Sequence, residues 1–422
     1  MKKVSIIGLG YVGLPLAMNF AQKIPTIGYD IKKDRINQLN SHKDIYNQIS
    51  KNIFKKAKKI KFTNSLSDVF NSKIIIVTLP TPVNKNKKPD LKNIKNLCKK
   101  IGKGITKNTI IIFESTLYPG ATRNEFLPLI KSNSKLKYLK DFFVGYSPER
   151  INPGDKKNLI QNITKLISGD CNYSTKKIAN IYKLILKKNI YITKSIEVAE
   201  AAKVFENTQR DVNISLMNEL SMICNKINLK TKDVLDASST KWNFLKFHPG
   251  LVGGHCISVD PYYLSYCAKN AGHKTILINA GRKINDNMPK FIYKNILKDL
   301  GPRKKKVLIL GLTFKENCSD IRDSKIFDLI QKLKNKHQTF LHDPYAIEEE
   351  VYNLYSQKMY KLNELPKKID CIVINLKHDY YKSRKMKEKI IKMTKNNGYI
   401  YDLKGLIDNK LLKRKKIKYF SL

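Results

Sequence analysis

The run KKVSIIGLGYVGLPLA, residues 2–17, sets the first constraint on the fold. A short β-branched stretch leads into Gly8, Gly10 and Gly13 in a GxGxxG pattern, and apolar residues at helical spacing follow. A strand, a tight turn and a helix use all three glycines. Gly8 permits the turn, Gly10 lets the backbone approach a pyrophosphate at the helix N-terminus, and Gly13 lets the helix lie close to the strand. Asp30 ends the next apolar stretch, 17 residues after Gly13. A carboxylate there accepts hydrogen bonds from a ribose 2′-hydroxyl and repels a 2′-phosphate, so NAD is expected over NADP. Lys32, Lys33 and Arg35 lie beside it. The basic start and apolar run also have the outline of a signal peptide, but that reading leaves the glycine spacing without a reason.

The same strand-and-helix alternation continues through KIIIVTLP (73–80), TIIIFEST (109–116) and FFVGYSP (142–148). Short β-branched runs bounded by turn residues and separated by helical stretches predict a parallel sheet covered on both faces. Ligands in such sheets lie beyond the carboxyl ends of the strands, which places Thr81, Thr116 and Glu149 at the same crevice. The texture changes at Ser195. From there to Ile227 the chain has no Gly or Pro, apolar residues recur three and four apart, and Ser195 can cap the start, so one long helix is expected. Helical stretches run on to about residue 300. Then KKKVLILGLTF (304–314) echoes KKVSIIGLGYV (2–12), with strand candidates at 339–344, 371–376 and 399–403. A second, smaller α/β domain is the expected reading.

The chain carries 81 Lys plus Arg against 35 Asp plus Glu, a net charge of +46. The lysines are spread over the whole length, so a general attraction for anionic ligands is expected and no specific nucleic-acid partner. Two basic runs, KKAKKIKF (55–62) and LLKRKKIKYF (411–420), read as exposed helix faces or a tail. No apolar run reaches membrane-spanning length. The seven cysteines form no CxxC pair, which suits a reducing cytoplasm, and no Cys/His cluster calls for a metal.

Two further features carry chemistry. Lys203, Asn207 and Arg210 stand at i, i+4 and i+7 on the long helix, sharing one face either as a solvated stripe or as part of a site. Ala199, Ala201, Ala202, Val204 and Phe205 surround the lysine, and partial enclosure would lower its pKa and suit it to proton transfer. The loop HPGLVGGHCISVDPYYL (248–264) places three glycines before Cys256. By itself Cys256 reads as a nucleophile, a metal ligand or a small residue filling a turn.

The segments GLGYVGLPLA, TLPTPV, FESTLYPG, FFVGYSPERINPGDK, EAAKVFENTQRDVNISLMNEL, GLVGGHCISVDPYYL and LGLTFKENCSDIRDS occur in this order. Together they resemble the UDP-glucose/GDP-mannose dehydrogenase family over nearly the whole chain. The combination of SPERINPGDK with HPGLVGGHCISVDPYYL is most similar to the branch acting on UDP-N-acetylhexosamines, with the UDP-N-acetylglucosamine and UDP-N-acetylgalactosamine 6-dehydrogenases nearest. The resemblance implies two Rossmann-like doubly wound domains joined by a long central helix and a helical dimerisation region. The implied domains are an NAD-binding domain at 1–194, a central helical domain with the cysteine loop at 195–302, and a UDP-sugar-binding α/β domain at 303–422. It also implies a cytoplasmic homodimer or higher homo-oligomer.

The implied activity is NAD-dependent oxidation of a sugar C6 alcohol to a carboxylate, for surface polysaccharide precursor synthesis. Cys256 matches the family's nucleophile, which holds the aldehyde as a thiohemiacetal and then a thioester, and a depressed thiol pKa is expected of it. Lys203, Asn207 and Asp260 match residues that handle protons, stabilise the oxyanion and organise water. Glu149 matches a glutamate of proton transfer or water activation, with Thr116 close by. The implied UDP-sugar contacts are Arg150, Ile151, Lys203, Asn207, Arg210, Lys315 and the loop Phe247–Gly253 with Gly250. Tyr11, Val12, Asp30, Arg35, Thr81, Thr116 and Arg322 match the cofactor side. Some branches carry a second glutamate where this chain has Pro153, so a scheme needing two carboxylates there is not expected.

UDP-N-acetylglucosamine is the expected substrate. UDP-N-acetylgalactosamine, UDP-N-acetylmannosamine and UDP-glucose are the alternatives. A two-electron hydroxyacid dehydrogenase would share the glycine cluster and the Lys/Asn pair but leave GGHC and the second α/β domain unexplained. A non-catalytic basic binding protein would explain the charge alone.

Overall fold

A computed structural model describes residues 3–45, 48–150, 160–408, 412 and 416–422. The chain divides into two compact units, one of Met1–Glu206 with Tyr262–Lys274 and one of Asn207–Pro261 with Thr275–Leu422.

The first unit holds an eight-stranded sheet of β1 (Val4–Ile7), β2 (Thr26–Tyr29), β3 (Ile60–Thr63), β4 (Ile74–Val77), β5 (Thr109–Phe113), β6 (Phe142–Tyr146), β7 (Lys165–Gly169) and β8 (Ile190–Ile192). Their order is β3-β2-β1-β4-β5-β6-β7-β8, parallel throughout except for the antiparallel pair β6–β7. In the central strands β1, β4, β5 and β6 every residue is buried. Runs such as Ile74–Val77 therefore need no polar alternation, because helices cover both faces. On one face Ile6, Ile76 and Ile112 pack in a core with Leu14 and Phe20 of the helix Gly13–Ala21 and Ile178 of the helix Asn172–Tyr182. The basic run 55–62 departs from expectation. Its helix stops at Lys56, and from Ile60 the chain is β3, paired with β2. An edge strand tolerates the outward Lys61 while Phe62 and Thr63 are buried.

The second unit holds β9 (Lys306–Leu310), β10 (Gln338–His342), β11 (Ile369–Ile374), β12 (Thr394–Asp402) and β13 (Lys418–Ser421) in the all-parallel order β10-β9-β11-β12-β13. Alternate residues serve two cores. Val307, Ile309 and Val373 pack with Ile326 and Ile330 of the helix Ile326–Lys334, while Leu308, Leu310, Ile372 and Ile374 pack with Ile390 of the helix Arg384–Met393. The basic run 411–420 also departs from the tail reading, since Lys418–Ser421 pairs with β12 as the edge strand.

The long helix runs Ile196–Lys226, and Ser195 Oγ accepts a hydrogen bond from the Val198 N–H at 3.3 Å, as an N-cap does. Helices Thr231–Ser238, Asp260–Asn270 and Leu277–Leu300 complete the helical middle. The fold is α/β with two Rossmann-like sheets, and each sheet reverses strand order beside its first strand, at β1/β4 and at β9/β11. Among the described residues no helix is long and apolar enough to cross a membrane.

Candidate active site

In the first unit the glycine turn lies at the β1/β4 reversal. Gly8 sits at φ +95°, and its N–H donates to Tyr29 O at 2.8 Å. Thr78 Oγ1 donates to the carbonyls of Ile7 and Gly8 at 3.0 and 2.8 Å, tying the turn to the end of β4. A Cβ at Gly13 would stand 1.8 Å from Gly8 O, whereas one at Gly10 would meet nothing within 4 Å. Helix packing excludes a side chain at Gly13, and the backbone at Gly10 is open to approach. Tyr11 and Val12 are half-buried at the helix start, which has no side-chain cap and no acidic residue in its first turn. Asp30 is fixed by the N–H groups of Leu9 and Lys32, each at 3.0 Å from a carboxylate oxygen. Arg35 is buried, with Nε on Leu9 O at 3.1 Å and Nη2 on Asp44 at 2.9 Å, so its guanidinium braces the loop backbone.

Beyond β4 and β5, Thr81 Oγ1 donates to Thr116 O at 2.8 Å, and Tyr263 OH donates to Thr81 O at 2.8 Å. Beyond β6, Glu149 is buried and accepts from the Arg150 N–H at 2.6 Å. The Arg150 guanidinium pairs with Glu206 of the long helix at 2.8 Å. Lys203, three residues earlier, is buried on the same helix. Behind Glu149 lies a group that sequence reasoning did not find. Lys165 Nζ is 2.9 Å from Glu114 and 3.7 Å from Glu149, and Tyr182 OH donates to Glu114. Burial pushes the Glu114 carboxyl above its ordinary range, against the opposing pull of Lys165.

In the second unit Asn207 Nδ2 donates to Asp260 Oδ2 at 2.6 Å, and the Asp260 N–H donates to Cys256 O at 2.9 Å. These bonds bring Asn207, Asp260 and the Cys256 loop together. All seven cysteines are described; Cys256 is the exposed one, while burial raises the Cys318 thiol to about 11. Asn218 of the long helix holds the loop through Gly250, accepting its N–H at 2.8 Å and donating to its carbonyl at 3.1 Å. Side chains are excluded where the loop crosses its neighbours: a Cβ at Gly253 would stand 2.3 Å from Asp323 O, and one at Gly254, at φ +84°, 2.6 Å from the Phe314 ring. His255 Nε2 lies 2.7 Å from Asp320. Arg322, expected on the cofactor side, donates to the same carboxylate at 2.7 and 3.0 Å. Phe247 and Lys315 are half-buried, and Arg210 is exposed although it shares a helix face with buried Asn207. Ile151 and Pro153 lie outside the described residues.

Three domain profiles of one family match the chain: the NAD binding domain of the UDP-glucose/GDP-mannose dehydrogenase family over residues 2–186, its central domain over 197–287 and its UDP binding domain over 308–409. The chain belongs to this family. It is an NAD-dependent nucleotide-sugar dehydrogenase. Protein CapL of Staphylococcus aureus is 43% identical over 415 residues, covering 97% of each chain. A UDP-N-acetyl-D-glucosamine 6-dehydrogenase of Pseudomonas aeruginosa is 41% identical, covering 96% of this chain and 97% of that one. The solved structure of a UDP-D-ManNAc dehydrogenase from Pyrococcus horikoshii superposes with a TM-score of 0.87 at 27% identity, covering 99% of this chain and 98% of that one.

The dehydrogenase's first unit fits NAD. The open backbone at Gly10 and the uncapped helix start could seat a pyrophosphate, and the fixed Asp30 carboxylate could accept from a ribose. Glu114 could have been flagged from the sequence, because EST directly follows β5 at the same strand end as Thr116. Lys165 gave no signal among 81 basic residues.

Proposed function

We propose that this dehydrogenase oxidises the C6 alcohol of UDP-N-acetylglucosamine to the carboxylate. The balanced reaction consumes two NAD+ and one water per sugar and releases two NADH and three protons. NAD, when bound, accepts a hydride in each oxidation, and Gly8, Gly10, Gly13 and Asp30 would hold it. The observation that carries the reading is the Asn207–Asp260 hydrogen bond beside the Cys256 loop. An exposed thiol on a loop whose backbone is bonded to that of Asp260, the carboxylate that orders the Asn207 amide, suits covalent capture of an aldehyde.

In this reading Cys256 attacks the aldehyde carbon, and the resulting oxyanion is stabilised by the Lys203 ammonium and the Asn207 amide. After the second oxidation the carbon is a thioester. Water, ordered by Asp260 and deprotonated by Glu149, attacks it and releases the thiolate. Thr116 lines the same strand ends as Glu149, and Arg150, Arg210, Lys315 and the Phe247–Gly253 loop hold the UDP-sugar. The 41% identity to a UDP-N-acetyl-D-glucosamine 6-dehydrogenase supports the choice of hexosamine.

The test counts NADH formed per UDP-N-acetylglucosamine consumed, beside the galactosamine, mannosamine and glucose analogues. Two NADH with a carboxylate product, and the highest kcat/KM for the glucosamine sugar, are expected. One NADH per sugar would sink the four-electron reading, and a higher kcat/KM for another sugar would reassign the substrate. Cys256→Ser should stop acid formation and leave NAD affinity unchanged.

A further inference from the structure

Lys165 opens β7, and its side chain is fully buried. Its ammonium has three donors and meets three acceptors: Glu114 Oε2 at 2.9 Å, Pro148 O at 3.1 Å and Glu149 Oε2 at 3.7 Å. It also lies 5.2 Å from the centre of the Tyr182 ring. Glu114, also fully buried, is held from its other side by Tyr182 OH. The segment just after β6 is tied down twice by β7, through Lys165 to Pro148 O and through Ser147 Oγ to Leu166 O at 2.8 Å.

A buried ammonium costs several kcal/mol unless it is paired and fully hydrogen-bonded. Glu114 alone would meet the pairing requirement. The same ammonium is aimed further, at the peptide before Glu149 and at the Glu149 carboxylate. The groups facing Glu149 are thus Lys165 from β7, Glu114 from the end of β5, Tyr182 from the helix Asn172–Tyr182, and the neighbouring Arg150, whose charge is taken up by Glu206. One cation is shared by two carboxylates, and only Glu149 reaches the edge of the cluster.

We propose that Lys165 is a positioning residue for the reaction, fixing Glu149 through Pro148 and setting its ammonium beside the Glu149 carboxylate, with Glu114 as the buried partner that shares the same ammonium. This rests on the assignment of Glu149 to proton transfer. The two substitutions act in opposite directions. Without Lys165, two carboxylates face each other with no counter-charge, and protonation of one is favoured. Without the Glu114 charge, the ammonium serves Glu149 alone, and its ionised form is favoured.

The test is the pH dependence of kcat/KM for the full-length protein with NAD+ and UDP-N-acetylglucosamine, beside thermal melting. Lys165→Met should move the acid limb up by about one pH unit and cut turnover about tenfold at neutral pH. Glu114→Gln, which keeps the shape of the buried group, should move the limb down, and Lys165→Arg should retain most of the wild-type profile. Folded Lys165→Met and Glu114→Gln with the acid limb unmoved would overturn the proposal and leave a purely structural ion pair. If Lys165→Met does not fold, Glu114→Gln decides alone: a downward shift supports the proposal, an unmoved limb overturns it. Glu149→Gln separates the two levels. Full turnover in that variant removes the role of Glu149 itself, whereas its inactivity with unmoved limbs in the other variants removes only the role of Lys165.

Discussion

His255 precedes the proposed nucleophile, and two carboxylates face it. Burial opposes the charged ring, but hydrogen bonds with Asp320 and Asp323 outweigh it and raise His255 above its ordinary value of 6.5. Burial likewise opposes charge on Asp320, yet His255 and Arg322 hold it well below its ordinary 3.8. The sign follows from linkage. The histidine's contribution is complete below 6.5 and is lost as pH rises through the raised value, while the aspartate's is present above 3.8 and is lost only in strong acid. The loop is therefore held most firmly between these limits and loosens on the alkaline side. Hydrogen exchange over residues 252–259, corrected for intrinsic rates, should show protection falling as pH rises above 6.5. His255→Gln should show weaker protection at pH 6 and no such fall; a wild-type pH response in that variant would exclude His255 as the titrating anchor. At this scale the legible residues were those with a local pattern. Gly8, Gly10 and Gly13 announce a turn, and Cys256 stands out behind its glycines. Asp320, Lys165 and Glu114 gain their meaning from partners 51 or more residues away, which no local spacing reveals.

Glu200 ties one element to another. From the long helix its carboxylate accepts from the N–H groups of Gly120 and Thr122 at 2.6 and 2.9 Å and from Thr122 Oγ1 at 2.6 Å, gathering the start of the π-helical turn Thr122–Phe126. Burial raises its pKa to about 7 despite these donors. Between 4.5 and about 7 the folded chain keeps a proton that the unfolded chain releases, so stability falls as pH rises through that window, by about 3 kcal/mol from this group. Glu200→Gln removes the titration. Denaturant unfolding at pH 5, 6, 7 and 8 should show the variant losing less stability than wild type across the window. Equal pH dependence in both would mean that Glu200 does not set it. Elements were legible in proportion to burial. The central strands are unbroken apolar runs, and the long helix shows its cap at Ser195. The edge strands β3 and β13 carry Lys61 and Lys418 and resembled exposed basic segments, because an edge strand needs only one buried side and gains protection from aggregation by its charge.

For the molecule as a whole, the echo between residues 2–12 and 304–314 made two α/β sheets legible, and the resemblance implied dimerisation through the helical middle, whereas which residues would meet a partner has no signature until exposure is known. Val198, Phe205, Leu216 and Ile223 of the long helix, with Ile227 just past its end, are 46–61% exposed. Their spacings of 7, 11, 7 and 4 residues return close to the same helical angle, so they form one apolar stripe. The helix has 31 residues and is therefore about 46 Å long. We propose that the same stripe of a second copy covers it. A net charge of +46 on each copy opposes association at long range, so the contact must gain its stability from local apolar burial. A two-fold contact lets one stripe meet itself without any second surface. Sedimentation equilibrium should give twice the chain mass of 48.7 kDa, and Leu216→Asp with Ile223→Asp should halve it while circular dichroism stays unchanged. A wild-type mass of 48.7 kDa, or a doubly substituted chain that remains a dimer, would remove this stripe as the interface.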